Sequence, residues 1–171
     1  MAFPAFFSVI GSKQGQFKGE ATQTRRREKW MTVLSFAMDL ESPHDAATGQ
    51  VSGKRQWRPI KVVKEWGAAS PQGPAACATR EILREVVFEF TKTNPNGEEY
   101  VYQTVKLTDA MIASVVRFTG QPGAAGDGLT QGSSPWANTH ELDQWSMTFR
   151  QIAVVDHDAN TTFLDDWGSG D

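Results

Sequence analysis

Residues 85–107 read EVVFEFTKTNPNGEEYVYQTVKL, and this stretch limits the folds open to the chain more than any other. Val86, Phe88 and Phe90 alternate with Glu89, Thr91 and Thr93. A period of two puts one face of an extended strand in a core and leaves the other polar. NPNG then supplies a turn, because Asn and Gly tolerate the left-handed backbone that a tight reversal needs. The apolar run that follows points back, so residues 84–108 are expected to form a hairpin. Ile82, Leu83, Val86, Val87 and Phe90 also fit a helical stripe, and a helix could extend to about Arg84. The β-branched and aromatic content of 86–91 favours the strand.

The same period recurs. In EKWMTVLSFAMDL the apolar residues Trp30, Leu34, Phe36, Met38 and Leu40 share one parity, and Ser35, Ala37 and Asp39 the other. MIASVVRFT, residues 111–119, predicts a further strand. DQWSMTFRQIAVV, residues 143–155, predicts one long strand. Its one side carries Trp145, Met147, Phe149, Ala153 and Val155, its other side Gln144, Ser146, Thr148 and Arg150. One helix is expected: Ser70 is a good N-cap, Pro71 a good first residue, and Ala75, Ala76, Cys77 and Ala78 continue it. Gly73-Pro74 weakens that start, and Pro74 is the other candidate. Residues 41–53 are a polar loop, 121–138 are rich in Gly, Ser and Pro, and the tail 157–171 carries four Asp without Lys or Arg. Together these predict a mainly β domain with one short helix, a barrel or a sandwich.

A chain of 171 residues with no internal repeat is expected to form one domain with a substantial core. A net charge of −3 does not mark the whole protein for nucleic acid or a membrane surface. A single cysteine excludes an internal disulfide and a cysteine-based zinc site. Met1–Ile10 is apolar but lacks the basic start and apolar core of a signal peptide. No apolar run approaches the roughly 20 residues of a membrane span.

Catalytic motifs are absent. The sequence holds no GxSxG, no GxxxxGK[ST] and no GxGxxG. His140-Glu141 begins like a zinc motif, but Gln144 stands where the second His belongs. Asp156-His157-Asp158 has no second His at ligand spacing and reads as a solvated junction. Arg25-Arg26-Arg27 reads as a solvated basic face rather than a nucleic-acid site. Trp57 and Trp66, set among Lys and Arg, resemble stacking platforms, yet such residues more often serve as core or interface anchors. Cys77 among alanines is expected to be a buried, passive thiol.

The order of these features resembles the Hcp family, the haemolysin-coregulated tube proteins of bacterial type VI secretion systems. The start MAFPAFFSVIGSKQGQFKGE, the strand VLSFAMDL, the segment SGKRQWRPIKVVKEWGAASP, the passage ACATREILREVVFEF, then YQTVKLTDAMIASV and ELDQWSMTFRQI follow that family's pattern from about residue 1 to 155. Each motif alone is weak; their order and spacing are specific. Gly73-Pro74, the long 121–138 loop and the acidic tail depart from the pattern.

The resemblance implies a two-sheet β-barrel with one short flanking helix and a protruding loop. It divides the chain into a barrel domain, 1–158, and an acidic tail, 159–171. It implies a structural, non-enzymatic subunit without cofactor or metal, whose hexameric rings stack into a tube inside a contractile sheath. Partners would be further copies of the chain, sheath and spike proteins and effector cargo, with no nucleic acid and no membrane insertion. The subunit would be cytoplasmic before firing and then secreted without a signal peptide. A tail tube of a phage-like or extracellular contractile system, or a monomeric ligand-binding barrel, are the alternatives. Loop 41–53 is expected to touch a neighbouring subunit or ring, residues 53–66 to form a strand near the subunit face, and segment 161–167 to dock on the barrel or the next subunit, its acids meeting Arg25–Arg27. Candidate interface residues are Ser42, Asp45, Thr48, Gln50, Trp57, Arg58, Trp66 and Trp167.

Overall fold

The computed structural model describes residues 4–19, 30–119 and 141–167. In chain order the strands are β1 (Ala5–Gly11), β2 (Gly15–Gln16), β3 (Met31–Val33), β4 (Ser35–Ala37), β5 (Leu40–Glu41), β6 (Gln56–Trp57) and β7 (Ile60–Glu65). After α1 (Gln72–Thr79) come β8 (Leu83–Thr93), β9 (Glu99–Thr119), β10 (Glu141–Thr148), β11 (Gln151–Asp156) and β12 (Thr161–Asp166). The Arg25–Arg27 run, loop 121–138 and His140 lie outside the described residues.

The hairpin forms where the sequence places it. β8 and β9 pair antiparallel from Leu83↔Ala110 to Thr93↔Glu99. Asn94 organises the turn: its carboxamide oxygen accepts from the backbone of Asn96 at 3.0 Å and Glu98 at 2.9 Å. Gly97 takes φ +84°, the left-handed backbone that only a residue without Cβ adopts at no cost.

β9 runs on far past the hairpin, so MIASVVRFT is no separate strand but the second half of one 21-residue strand. Its first half pairs with β8 and β11, its second with β10. Asp109, at φ +51°, marks the change. Directly beside it, residues 143–155 are not one strand either: Phe149 and Arg150 break them into β10 and β11. Arg150 donates its backbone N–H to Thr108 at 3.2 Å and sets its guanidinium 3.3 Å from the Asp109 carboxylate. The two neighbours therefore bend at the same level, which lets one long strand serve two ladders.

The hydrogen-bonded path runs β2-β1-β8-β9-β10-β7-β4, with β3 on β1 and β12 on β11. Among the described residues the barrel is not closed by a continuous ladder. The strand that would close it is split at Leu34: β3 pairs with β1, whereas β4 pairs with β7. The expected alternation over 30–40 fails there. Met31 is buried, Phe36 is half-buried, and Met38 and Leu40 are exposed. Segment 53–66 is likewise two strands, and β7 lies inside the sheet between β10 and β4.

The core joins Phe7, Phe17, Ile60, Val62, Val86, Phe88, Leu107, Trp145, Met147 and Ile152. Phe7 stacks on Phe88 at 5.4 Å and meets Trp145 edge-on at 5.9 Å. In β10 the polar parity is buried too, including Gln144 and Ser146, so the strand is enclosed on both faces. The helix starts at Gln72, with Pro71 as its N-cap rather than its first residue and no side-chain cap. Ser70 has other partners, given below. The helix ends where Arg80 turns left-handed at φ +52°. Cys77 is half-buried against the core rather than fully enclosed.

Candidate assembly surfaces

Residues 40–57 leave the barrel as an arm. At its base β5 and β6 form two rungs, Leu40↔Trp57 and Glu41↔Gln56. Farther out His44 bridges to Val51. The tip is built locally: the Asp45 backbone N–H donates to Gln50 O at 2.7 Å, Gly49 N–H to Asp45 O at 2.8 Å, and Asp45 Oδ1 accepts from Ala47 N–H at 2.7 Å. Ser42, Asp45, Thr48 and Gln50 are all exposed on this arm. Val51 is 68% exposed, so the arm also presents an apolar side chain to solvent.

The root of the arm meets the C-terminal strand. Residues 161–166 form β12, an edge strand paired with β11 from Gln151↔Asp166 to Asp156↔Thr161. Asp165 accepts from Arg55 Nε and from Trp57 Nε1, both at 2.7 Å, and its second oxygen lies 2.7 Å from Arg55 Nη2. The Arg55 hydrogen bonds hold the Asp165 carboxyl below the usual carboxylate range, outweighing its burial, with Trp57 adding to the effect. Trp57 is buried within its own chain, edge-on to Phe149 at 5.3 Å and 6.3 Å from Phe163. Trp167 completes the cluster against Phe149 at 6.1 Å, yet stays 46% exposed. Arg58 points outward, 3.2 Å from Glu41 and 3.5 Å from Asp39. Segment 161–167 thus docks on its own barrel, and its Asp165 meets Arg55.

Trp66 lies elsewhere, at the end of β7. Its indole donates to Leu142 O at 2.9 Å, and the Arg117 guanidinium covers its ring at 4.3 Å. Register puts Lys64 and Arg117 on either side of Asp143. The fully buried Asp143 accepts from Arg117 Nε at 2.9 Å and Ser70 Oγ at 2.6 Å, with Lys64 Nζ at 3.6 Å. Ser70 also accepts from Gly67 N–H at 2.8 Å. This network ties the turn before α1 to three strands.

Of the eight candidates, four share the arm, Trp57 and Arg58 share its root, Trp167 lies across from that root on Phe149, and Trp66 is separate. Sequence reading missed Arg55; Phe163, Leu164 and Asp165 fall within the segment expected to dock, but Asp165 meets Arg55, and Arg25–Arg27, the partners expected for it, lie outside the described residues. The signal for a strand there, Thr161-Thr162-Phe163, is short and is masked by the acidic bias of the tail. Leu164 is 71% exposed on the free edge strand. Among the described residues no cluster of three or more His, Cys, Asp or Glu is placed to hold a metal, and no helix is long and apolar enough to cross a membrane.

The family described as type VI secretion system effector, Hcp, matches residues 8–155. The Major exported protein of Pseudomonas aeruginosa is 28% identical over 177 residues, spanning 99% of this chain and 98% of that protein. A crystal structure of an Hcp protein superposes with a TM-score of 0.81 at 25% identity, covering 97% of this chain and 100% of the other. The secreted protein Hcp3 from Pseudomonas aeruginosa shares the fold with a TM-score of 0.72 at 22% identity, over 98% of this chain and 100% of its own. With the family pattern spanning residues 8–155, most of its length, the chain belongs to the Hcp family of type VI secretion system proteins.

Proposed function

We propose that this chain is the structural subunit of the inner tube of a type VI secretion system. Six copies close into a ring, rings stack, and a contractile sheath drives the resulting tube, with a spike at its tip and small effector proteins in its lumen. The subunit waits in the cytoplasm and leaves the cell with the tube, in keeping with the name of its Pseudomonas aeruginosa relative, the Major exported protein. The observation that carries this reading is the family match across residues 8–155.

The geometry is in keeping with it. A head-to-tail interface yields a closed ring or an open filament, and a tube needs both lateral and axial contacts. β12 offers an edge strand, the kind of edge that must be paired or covered in a stable assembly. The arm carries exposed Ser42, Asp45, Thr48 and Gln50 beyond the barrel, where a neighbouring ring would be reached. Mass photometry of the purified protein should give a species of six subunits, and electron microscopy should show annular particles. A strictly monomeric species across salt and concentration would overturn the proposal.

A further inference from the structure

We propose that β12 is a clasp for the protruding arm, so that arm and C-terminal strand are ordered or released together through Asp165. The arm's own hydrogen bonds are local. Those from Asp45 and Gly49 at the tip, and from Ser52 N–H to Pro43 O at 2.9 Å, fix its shape but not its direction. Its base has two rungs, and an isolated two-stranded ribbon is marginal in water.

Direction comes from the contacts that leave the base. Arg55 reaches Asp165 through Nε and Nη2, both at 2.7 Å, and Asp166 O through Nη2 at 3.1 Å. Trp57 reaches the same Asp165 oxygen as Arg55 Nε, and its ring lies against Phe149 and Phe163. On the other side, β12 is equally dependent. It is an edge strand with Thr161–Leu164 exposed, held by β11, by Gln151 Nε2 to Asp166 at 2.7 Å, and by the Trp167 N–H to Arg150 O at 2.8 Å. Two elements of low local stability thus share one carboxylate. A charge-assisted, two-point Arg pair closed by a third donor is the strong kind of polar contact. Local opening runs in contiguous cooperative units, and this contact joins the two elements into one.

The test is hydrogen exchange on the full chain, comparing Arg55→Ala, Asp165→Asn and Trp57→Phe with the unaltered protein. Each of the first two should speed exchange in both segments, 42–58 and 161–167, by about tenfold or more, the loss expected for a hydrogen bond to a charged group. Trp57→Phe, which keeps a ring and removes the N–H, should move both segments the same way but less. Amides of β8 and the first half of β9 should exchange as before. If Arg55→Ala speeds only the arm and Asp165→Asn only β12, the two segments open independently and the clasp is refuted. Equal acceleration of β8 and β9 would also refute it, because the contact would then support the whole fold rather than couple two parts of it.

Discussion

Gly73 packs directly against the indole of Trp145: a Cβ added there would clash with Cζ2 and sit 2.9 Å from Nε1. The residue that weakens the helix start in sequence is therefore what lets the helix approach the core. Trp145 is fully buried, and its N–H has no hydrogen-bond acceptor among the described residues. Gly73→Ala would improve helix propensity by about 1 kcal/mol. The clash with an immovable ring should cost more, about 1–3 kcal/mol. Urea unfolding should show a net loss of stability, and a gain would mean that the helix can lift away from Trp145.

The Lys64–Asp143 pair makes the opposite test. Asp143→Ala removes the fully buried carboxylate shared by Lys64, Arg117 and Ser70 and should destabilise by about 3–5 kcal/mol. Lys64→Met combined with Asp143→Leu should recover part of that loss, because the buried ammonium goes with the carboxylate and Arg117, its side chain 42% exposed, still reaches water. Chemical denaturation of the three variants checks this. A double variant as unstable as Asp143→Ala would show that Ser70 and Arg117 need the carboxylate on their own account.

Glu81 gives a pH dependence. It is buried and accepts from Lys13 N–H at 2.5 Å, Gln14 N–H at 2.7 Å and Gln14 Nε2 at 2.8 Å. Burial pushes its carboxyl up, but these hydrogen bonds prevail and hold it below the ordinary Glu value. A carboxyl depressed in the folded state stabilises fully above its unfolded pKa, about 4.3, and that contribution disappears as pH falls through the lower folded value. Glu81→Gln should therefore lower the melting temperature at pH 7 and flatten its fall below about pH 4.3. Parallel melting curves for the two proteins across the acid range would rule out this role.

Replacing residues 43–52 by a short turn keeps Glu41, Arg55 and Trp57, and with them the root contacts. The expected outcome is rings that still form but no longer stack. Sedimentation and electron microscopy read the two steps separately, and undiminished stacking would remove the arm from the axial contact.

What the chain determines by itself is local. The two-residue period of β8 and β9 and the Asn94–Gly97 turn need only neighbours in sequence, because side-chain alternation and left-handed backbone are properties of a few consecutive residues. The mainly β class and the single helix near residue 72 follow from the same signals. The breaks at Leu34 and at Phe149–Arg150 have no such signal. The break at Phe149–Arg150 arises because β9 bends at Asp109 and its neighbour must bend with it, and the break at Leu34 because the strand there passes from β1 to β7. Lys64, Asp143 and Arg117 are ordinary charged residues in sequence; strand register alone sets them side by side. The acidic tail shows this most clearly. Its Phe163, Leu164 and Trp167 suggest docking, but nothing nearby in sequence names the partner: Asp165 is held by Arg55 and Trp57, residues 110 and 108 positions away. Pairing over such distances depends on which strands lie together, and that is decided by packing of the whole barrel, not by any stretch of the chain.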